Sequence, residues 1–319
     1  MKAIVHDSYG STEVLRFRDV DRPEPGDDEV LLQVHAAGAG PDVWHVMTGM
    51  PYAIRFAGFG VRRPKNPVLG RDVAGRVAAV GGNVTGFKRG DEVLGIAKGS
   101  FAEFACASAA KLAHKPAALT FEQAAALPIS GITALKAVRD NGKIQPGQRV
   151  LIIGAGGGVG TFAVQLAKQF GAEVTAVCGS AKADLVRSIG ADHVVDYTRE
   201  SIDGRYDVIL DIAGCRSISA LRRNLVPRGT LVLVGGEDGG RWFGLSRALR
   251  AVLLSPFIGQ RLVLAIATER GQDIQFVAEL AKDGKVTPVV GRTHPLIEAP
   301  GAIRHLQQGH ATGKIVITI

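Results

Sequence analysis

Cysteine and aromatic residues are scarce in this chain of 319 residues: it has three cysteines and 6% aromatics. Cys106, Cys178 and Cys215 lie far apart and no CxxC pair exists. A zinc ribbon and a disulfide framework are therefore excluded, and the count suits a reducing, cytoplasmic compartment. The N-terminus MKAIVHDSYG has no apolar core of the kind a secretory leader needs. Basic runs are missing as well. Lys and Arg total 38 against 30 Asp and Glu, a net charge of +8, yet no run exceeds two (Arg62-Arg63, Lys88-Arg89, Arg222-Arg223). Scattered charge with few rings to stack on bases argues against a nucleic-acid binder. The longest uncharged stretch, Val150 to Ala167, is centred on GAGGGVG. That composition reads as strand, turn and helix in a folded core, so no integral membrane span is expected.

Glycine is what the chain has in excess, 41 residues without a Gly-X-Y period. The first 115 residues read as short strands split by turn clusters: Lys2–His6, Val14–Val20, Glu29–Ala37, Asp72–Val80, Asp91–Ile96 and Phe101–Ala105. They suggest an antiparallel barrel or sandwich. From Thr120, a candidate helix N-cap, the period changes, and a second helix is expected from about Ile132 to Asn141. Apolar strands then alternate with helices. The strands are Arg149–Ile153, Glu173–Cys178, His193–Asp196, Asp207–Ile212, Thr230–Val234 and Arg261–Ile266. The helices are Val159–Phe170, Ala181–Ile189 and Ser217–Leu225. Strands this apolar are buried on both faces, which implies a doubly wound parallel sheet. The tail reads helix Asp273–Lys282, strand Val286–Gly291, helix Ala299–Gln308 and strand Lys314–Ile319, and is expected to rejoin the β-rich first part.

Residues 149–170, RVLIIGAGGGVGTFAVQLAKQF, carry a variant of the dinucleotide fingerprint at Ala155-x-Gly157-x-x-Gly160. It follows a buried strand and opens a helix, the context that gives such a motif meaning. Gly157 and Gly158 let the backbone approach a pyrophosphate, Gly160 lets the helix pack close, and the helix N-terminus offers free N–H groups. An NAD site usually has an acid at the tip of the second strand. Here that strand ends Cys178-Gly179-Ser180-Ala181-Lys182, with no acid and with a lysine. This favours NADP. The plain alternative is a solvated Lys182 and a Ser180 that merely caps a helix.

At this point the chain resembles the zinc-independent medium-chain dehydrogenase/reductases, the quinone-oxidoreductase (zeta-crystallin-like) branch. The marks are PEPGDDEVLLQVHAAG (24–38), VLGRDVAGRVAAVG (68–81), FKRGDEVLG (87–95), AAALPISGITALKAV (124–138), the glycine loop, GADHVVDYT (190–198) and HATGKIVITI (310–319). The resemblance implies a Rossmann domain for residues 123–266 and a GroES-like β-barrel substrate domain for residues 1–122 and 267–319. It implies NADPH, with Thr133 near the nicotinamide. Gly156, Gly157, Gly158 and Val159 would hold the pyrophosphate, Ser180, Lys182 and Tyr197 would surround the 2′-phosphate, and Gly235 and Gly236 would lie near the nicotinamide. A homodimer is the family expectation.

The zinc branch needs a Cys and a His-Glu pair in the barrel domain. Here the turn reads Gly70-Arg71-Asp72 and no cysteine precedes Cys106, so no metal is expected. Relatives carry Asn-Pro-x-Asp-Trp after the third strand. This chain has Gly40-Pro41-Asp42-Val43-Trp44 and loses that amide. Without zinc, hydride addition to a quinone or an α,β-unsaturated carbonyl is favoured, because the negative charge delocalises. Trp44, His45 and Tyr52 are the candidate pocket residues, beside the Arg71/Asp72 turn. A zinc-free alcohol or aldehyde dehydrogenase and a non-catalytic NADPH-binding protein stay open as alternatives.

Overall fold

The computed structural model describes residues 1–235, 251, 255, 258–265, 268–309 and 311–319, and of Ala57 the backbone alone. In chain order the first elements are β1 (Lys2–Val5), β2 (Arg16–Asp19), β3 (Glu29–Ala39), α1 (Pro41–Thr48), β4 (Asp72–Val80), β5 (Glu92–Ile96), β6 (Phe104–Ser108), β7 (Leu112–His114), α2 (Phe121–Ala126) and α3 (Pro128–Leu135). The alternating region follows: β8 (Arg149–Ile153), α4 (Gly158–Gln169), β9 (Glu173–Cys178), α5 (Ala183–Ser188), β10 (His193–Asp196), β11 (Tyr206–Asp211), α6 (Ile218–Arg223), β12 (Leu225–Leu233) and β13 (Arg261–Leu264). The chain closes with α7 (Gly271–Lys282), β14 (Val290–Pro295), α8 (Ala299–Gln307) and β15 (Lys314–Thr318).

Two compact units result. One comprises Met1–Ser130, Glu269–Gly284 and Pro288–Ile319; the other comprises Gly131–Thr268 and Lys285–Thr287. The first crossing falls after Ser130 rather than after residue 122. Thr120 caps α2 reciprocally with Gln123, and the three alanines that follow are buried against β3 and β4 of the barrel unit.

The barrel unit is built on a seven-stranded sheet in the order β14-β15-β3-β4-β5-β7, with β6 also paired to β3. Its inward side chains form two apolar clusters. One centres on Ile4, Met47, Leu69, Phe101 and Ile303, the other on Val30, Leu32, Val73, Val93 and Ala105. The second unit is a six-stranded sheet in the order β10-β9-β8-β11-β12-β13, parallel at every pairing. That order reverses between β8 and β11. It is the doubly wound arrangement whose ligands bind beyond the carboxyl ends of the strands.

Several expected boundaries move for identifiable reasons. The strand expected at Val286–Gly291 begins only at Val290. Gln165 of α4 accepts from the Thr287 N–H at 2.7 Å and donates to its carbonyl at 3.0 Å, so residues 285–287 are tied to α4, and Pro288 cannot donate to a ladder. The helix expected over Ile132–Asn141 starts at Pro128 and widens into a π-helical segment, Lys136–Gly142. Helix α6 stops at Arg223, because Leu225 already opens β12. Residues 41–48, which carry no strand signal, form α1, with Pro41 in the first turn and a left-handed Gly49 closing it. The end of the strand expected at Arg261–Ile266 falls outside the described residues.

Candidate functional site

In the Rossmann unit the carboxyl ends of β8, β9 and β10 gather most of the residues expected to hold a cofactor. The loop leaving β8 turns back at Gly154, whose φ of +88° is left-handed and whose Cβ position lies 3.1 Å from the Ala213 nitrogen. Gly160 is required by packing alone: a Cβ there would stand 2.1 Å from the Gly154 carbonyl oxygen. Gly157 is different. A Cβ on it would meet only the Gly154 oxygen, at 3.5 Å, so no other atom of the described residues fills that space. Gly157 is also the N-cap of α4 and supplies no side-chain cap. The first N–H groups of this helix, from Gly158 and Val159, thus face outward beside an open cradle, as an anion site requires. A dinucleotide pyrophosphate fits these residues.

Lys182 lies across the loop, its side chain 2.6 Å from where a Gly156 Cβ would be. Burial holds its ammonium below the ordinary lysine value. Gly179 is open, with the Tyr197 ring 3.7 Å from its Cβ position, and Tyr197 is exposed. Gly156, Gly157, Gly158, Val159, Ser180, Lys182 and Tyr197 therefore lie together beyond the carboxyl ends of β8, β9 and β10. Thr133 is half-buried on α3. Gly235 follows β12, where its N–H donates to the Asp211 carbonyl and a Cβ would strike the Ile212 oxygen; close backbone packing explains this glycine. Gly236 lies outside the described residues.

One acid was not foreseen. Parallel pairing of β10 with β9 sets Asp196 opposite Cys178. The Asp196 carboxylate accepts from the Ser180 hydroxyl and from the Thr198 hydroxyl and N–H at 2.7 and 3.0 Å. The Ser180 bond leads in holding that carboxyl below the usual range. The tip of β9 lacks an acid of its own but receives one from its neighbour. Its place as the last residue of the run HVVD was the available signal.

In the barrel unit, Trp44 and His45 lie on α1, with rings 5.0 Å apart at 70°. His45 Nδ1 is 2.8 Å from the Met50 carbonyl, so the proton sits on Nδ1, and burial keeps the imidazole below its ordinary pKa. Tyr52 is half-buried, with the Arg55 guanidinium 4.8 Å from its ring centre. Arg55 also lies 4.4 Å from the Tyr9 ring and donates to the Gly49 carbonyl at 2.8 Å.

The Gly70-Arg71-Asp72 turn holds two ionic groupings. Arg71 pairs with Glu269, which also accepts from Lys111 at 2.7 Å. Burial would lower the Arg71 value, but Asp42 and Glu269 outweigh it. Asp72 and Lys314 form a buried pair at 2.7 Å, with side chains 0% and 3% exposed. Asp72 also accepts from the Ile129 N–H at 2.8 Å, and Lys314 donates to the Ser130 hydroxyl at 3.2 Å. Burial lifts Asp72 to about 6, while Lys314 is held above its ordinary value by Asp72 and Asp42 despite burial. A side chain at Gly40 would lie 2.9 Å from Lys314 Nζ. The position that lost the amide is therefore crowded, with Asp42 Oδ1 at 2.6 Å from the Cβ place as well as the lysine ammonium. Zinc does not fit here: the histidine position is a guanidinium already engaged by a carboxylate, and Gly40 offers no ligand.

The chain matches the alcohol dehydrogenase GroES-like domain family over residues 26–117 and the zinc-binding dehydrogenase family over residues 189–317. It is 34% identical to the mouse (Mus musculus) NAD(P)H oxidoreductase RTN4IP1, mitochondrial, over 100% of this chain and 89% of that protein. The chain belongs to the medium-chain dehydrogenase/reductase superfamily, in its quinone-oxidoreductase branch. The Arabidopsis thaliana chloroplast envelope quinone oxidoreductase homolog is 33% identical over 99% of this chain and 98% of its own length. The Solanum lycopersicum 2-methylene-furan-3-one reductase is 32% identical over 99% and 79%. Among solved structures, the quinone oxidoreductase of Coxiella burnetii superposes with a TM-score of 0.86 at 28% identity, covering 100% and 99% of the two chains. A mycobacterial protein complexed with NADPH gives 0.83 at 27% identity, covering both chains fully. Members of this superfamily branch are oxidoreductases of small molecules that use a nicotinamide cofactor, and this chain is one. No helix among the described residues is long and apolar enough to cross a membrane.

Proposed function

We propose that this protein is a zinc-free, NADPH-dependent reductase of quinones or α,β-unsaturated carbonyls. The observation that carries the cofactor is the cradle at Gly157, left open by the described residues, with Lys182 laid across Gly156. The NADPH complex of the mycobacterial relative supports the same reading. When bound, the dinucleotide supplies the hydride. The α4 N–H groups hold its pyrophosphate, and Lys182, Ser180 and Tyr197 face its 2′-phosphate.

The substrate class rests on the charge that must be stabilised. A guanidinium paired with Glu269 stands where a zinc ligand would be, so no metal carries an alkoxide. An enolate or quinol oxygen spreads its charge and needs only a donor or water. We assign substrate contact to Trp44, His45 and Tyr52. His45 gives its N–H to the Met50 carbonyl and stays neutral at pH 7, so it orients and does not protonate. The curated relatives named for quinone and methylene-furanone reduction support this class.

We assign the protein to a homodimer, because among the described residues β13 ends the six-stranded sheet without a partner on its outer edge. We place it in the cytoplasm, where three free cysteines agree with a reducing environment. A second reading, NADH in place of NADPH, is favoured by Asp196, whose carboxylate lies where a ribose 2′-hydroxyl could donate. The test is oxidation of NADPH and of NADH with a panel of 1,2-quinones and 2-alkenals, with and without a chelator. Chelator-resistant turnover with either acceptor supports the proposal. Absence of turnover across the whole panel refutes it, and faster turnover of saturated aldehydes would favour the alcohol-dehydrogenase alternative.

A further inference from the structure

One segment of the barrel unit is exposed, apolar at its tips and entirely free of acid. From residue 43 to residue 71 the sequence has no Asp or Glu, yet it carries Arg55, Arg62, Arg63, Lys65 and Arg71. Within that stretch Phe56 is 77% exposed and Val61 is 53% exposed, the two most solvent-open of the large hydrophobic side chains here apart from Ile297 and Tyr197. Arg62, Arg63 and Lys65 are exposed beside them. No ion pair or side-chain hydrogen bond engages these three among the described residues.

The exposure is built in. Tyr9 donates its hydroxyl to the Gly60 carbonyl at 2.6 Å and lies 3.0 Å from that of Phe59. The Lys65 N–H returns to the Phe59 carbonyl at 2.8 Å. Gly60 has a φ of +107°, and a Cβ there would stand 2.2 Å from the Arg63 oxygen, so the chain doubles back tightly at this point. Arg55 stacks with Tyr9 and Tyr52 and anchors the base. Phe56 and Val61 are therefore presented from a pinned loop with cations alongside. An aromatic and a β-branched tip flanked by unpaired basic residues match the chemistry of a headgroup boundary. Apolar groups enter the acyl region and lysine and arginine meet lipid phosphates.

We infer that the segment 54–65 docks this protein on the surface of an anionic lipid bilayer, with Phe56 and Val61 inserted and Arg62, Arg63 and Lys65 on the phosphates. A protein partner is disfavoured because two small apolar tips make no contiguous patch. Nucleic acid is disfavoured because one exposed ring offers no stacking platform. The consequence for substrate, which rests on the quinone reading above, is that quinones dissolved in the bilayer are the class this surface would reach.

The test is co-sedimentation of the full chain with phosphatidylcholine vesicles and with vesicles containing 30% phosphatidylglycerol, at low and high salt. The expected result is binding to the anionic vesicles only, weakened by salt. Reversal of the three cations (R62E/R63E/K65E) is expected to weaken it roughly 100-fold, at about five-fold or more per basic residue. F56S/V61S is expected to weaken it about ten-fold, and F56W to shift its emission to the blue when vesicles are added. All three sets alter exposed side chains, and unchanged circular dichroism confirms their fold. Wild-type protein left in the supernatant with anionic vesicles at low salt overturns the proposal, as does equal binding by all variants. F56S/V61S that loses turnover of a water-soluble quinone while keeping vesicle binding also overturns it, by making the segment a substrate wall. Vesicle binding needs no turnover, so failure of the reductase reading and failure of docking are read separately.

Discussion

The buried pair of Asp72 and Lys314 offers the sharpest quantitative test of how the barrel unit is held together. Lys314 sits within the apolar strand KIVIT, on which Ile315, Val316 and Ile317 are fully enclosed. Replacing Lys314 with Met keeps the volume and the apolar stem but strands the Asp72 carboxylate, which retains only the Ile129 N–H. Removing one partner of a buried ion pair costs about 3–5 kcal/mol. The carboxylate escapes by taking a proton, and because its value already stands at about 6 in the intact protein, the added cost at pH 7 is about 1.4 kcal/mol, that of one unit. K314M is thus expected to lose about 1–2 kcal/mol, roughly 5 °C in Tm. Asp72→Asn in the K314M background keeps an acceptor for Ile129 and should recover most of that loss. The pH dependence has a definite sign. In K314M the folded-state value of Asp72 is raised further above its value of about 6 in the intact protein, so the deficit is largest at neutral and higher pH and shrinks as pH falls through 6. Urea unfolding of the single and double variants at pH 7 and pH 5 measures all three terms. A loss below about 0.5 kcal/mol for K314M at pH 7, or a double variant no better than the single, refutes the claim that the pair is a mutually dependent buried contact.

Two glycines of the cofactor loop should separate packing from binding. Gly160→Ala is expected to cost about 1–3 kcal/mol in the apoprotein, because its Cβ meets the Gly154 oxygen at 2.1 Å, as read by thermal melts. Gly157→Ala should cost the apoprotein less than about 1 kcal/mol yet weaken nicotinamide-dinucleotide binding about ten-fold or more by fluorescence titration; equal effects of the two variants would deny the cradle. Asp196→Asn, which removes the negative charge that accepts from Ser180, should raise the preference for NADPH over NADH by about five-fold in the ratio of dissociation constants. Asp140 is held down to about 2 by Arg139 first and then Lys136. Its contribution is present above pH 4 and lost as pH falls toward 2, is below about 1 kcal/mol at this exposure, and is absent from the acid limb of Asp140→Asn.

The sequence alone determined the doubly wound sheet and the glycine loop, because both depend on local signals. Buried parallel strands are apolar throughout, and residues 154–160 must turn and admit a helix within a few residues. It also placed the cap at Thr120 and showed that the zinc position is Arg71. Tertiary structure alone decided which distant groups share an environment. Lys314 meets Asp72 and closes on Gly40 only because β15 pairs with β3 and β3 with β4. Asp196 reaches Ser180 only because β10 lies parallel beside β9. Gly235, assigned to the nicotinamide by resemblance, has a packing requirement that no one-dimensional pattern carries. Strand register brings residues from far along the chain to within a few ångströms, and the charge environment of the candidate site is set by those meetings, whereas the fold class is set by periodicities each segment carries by itself.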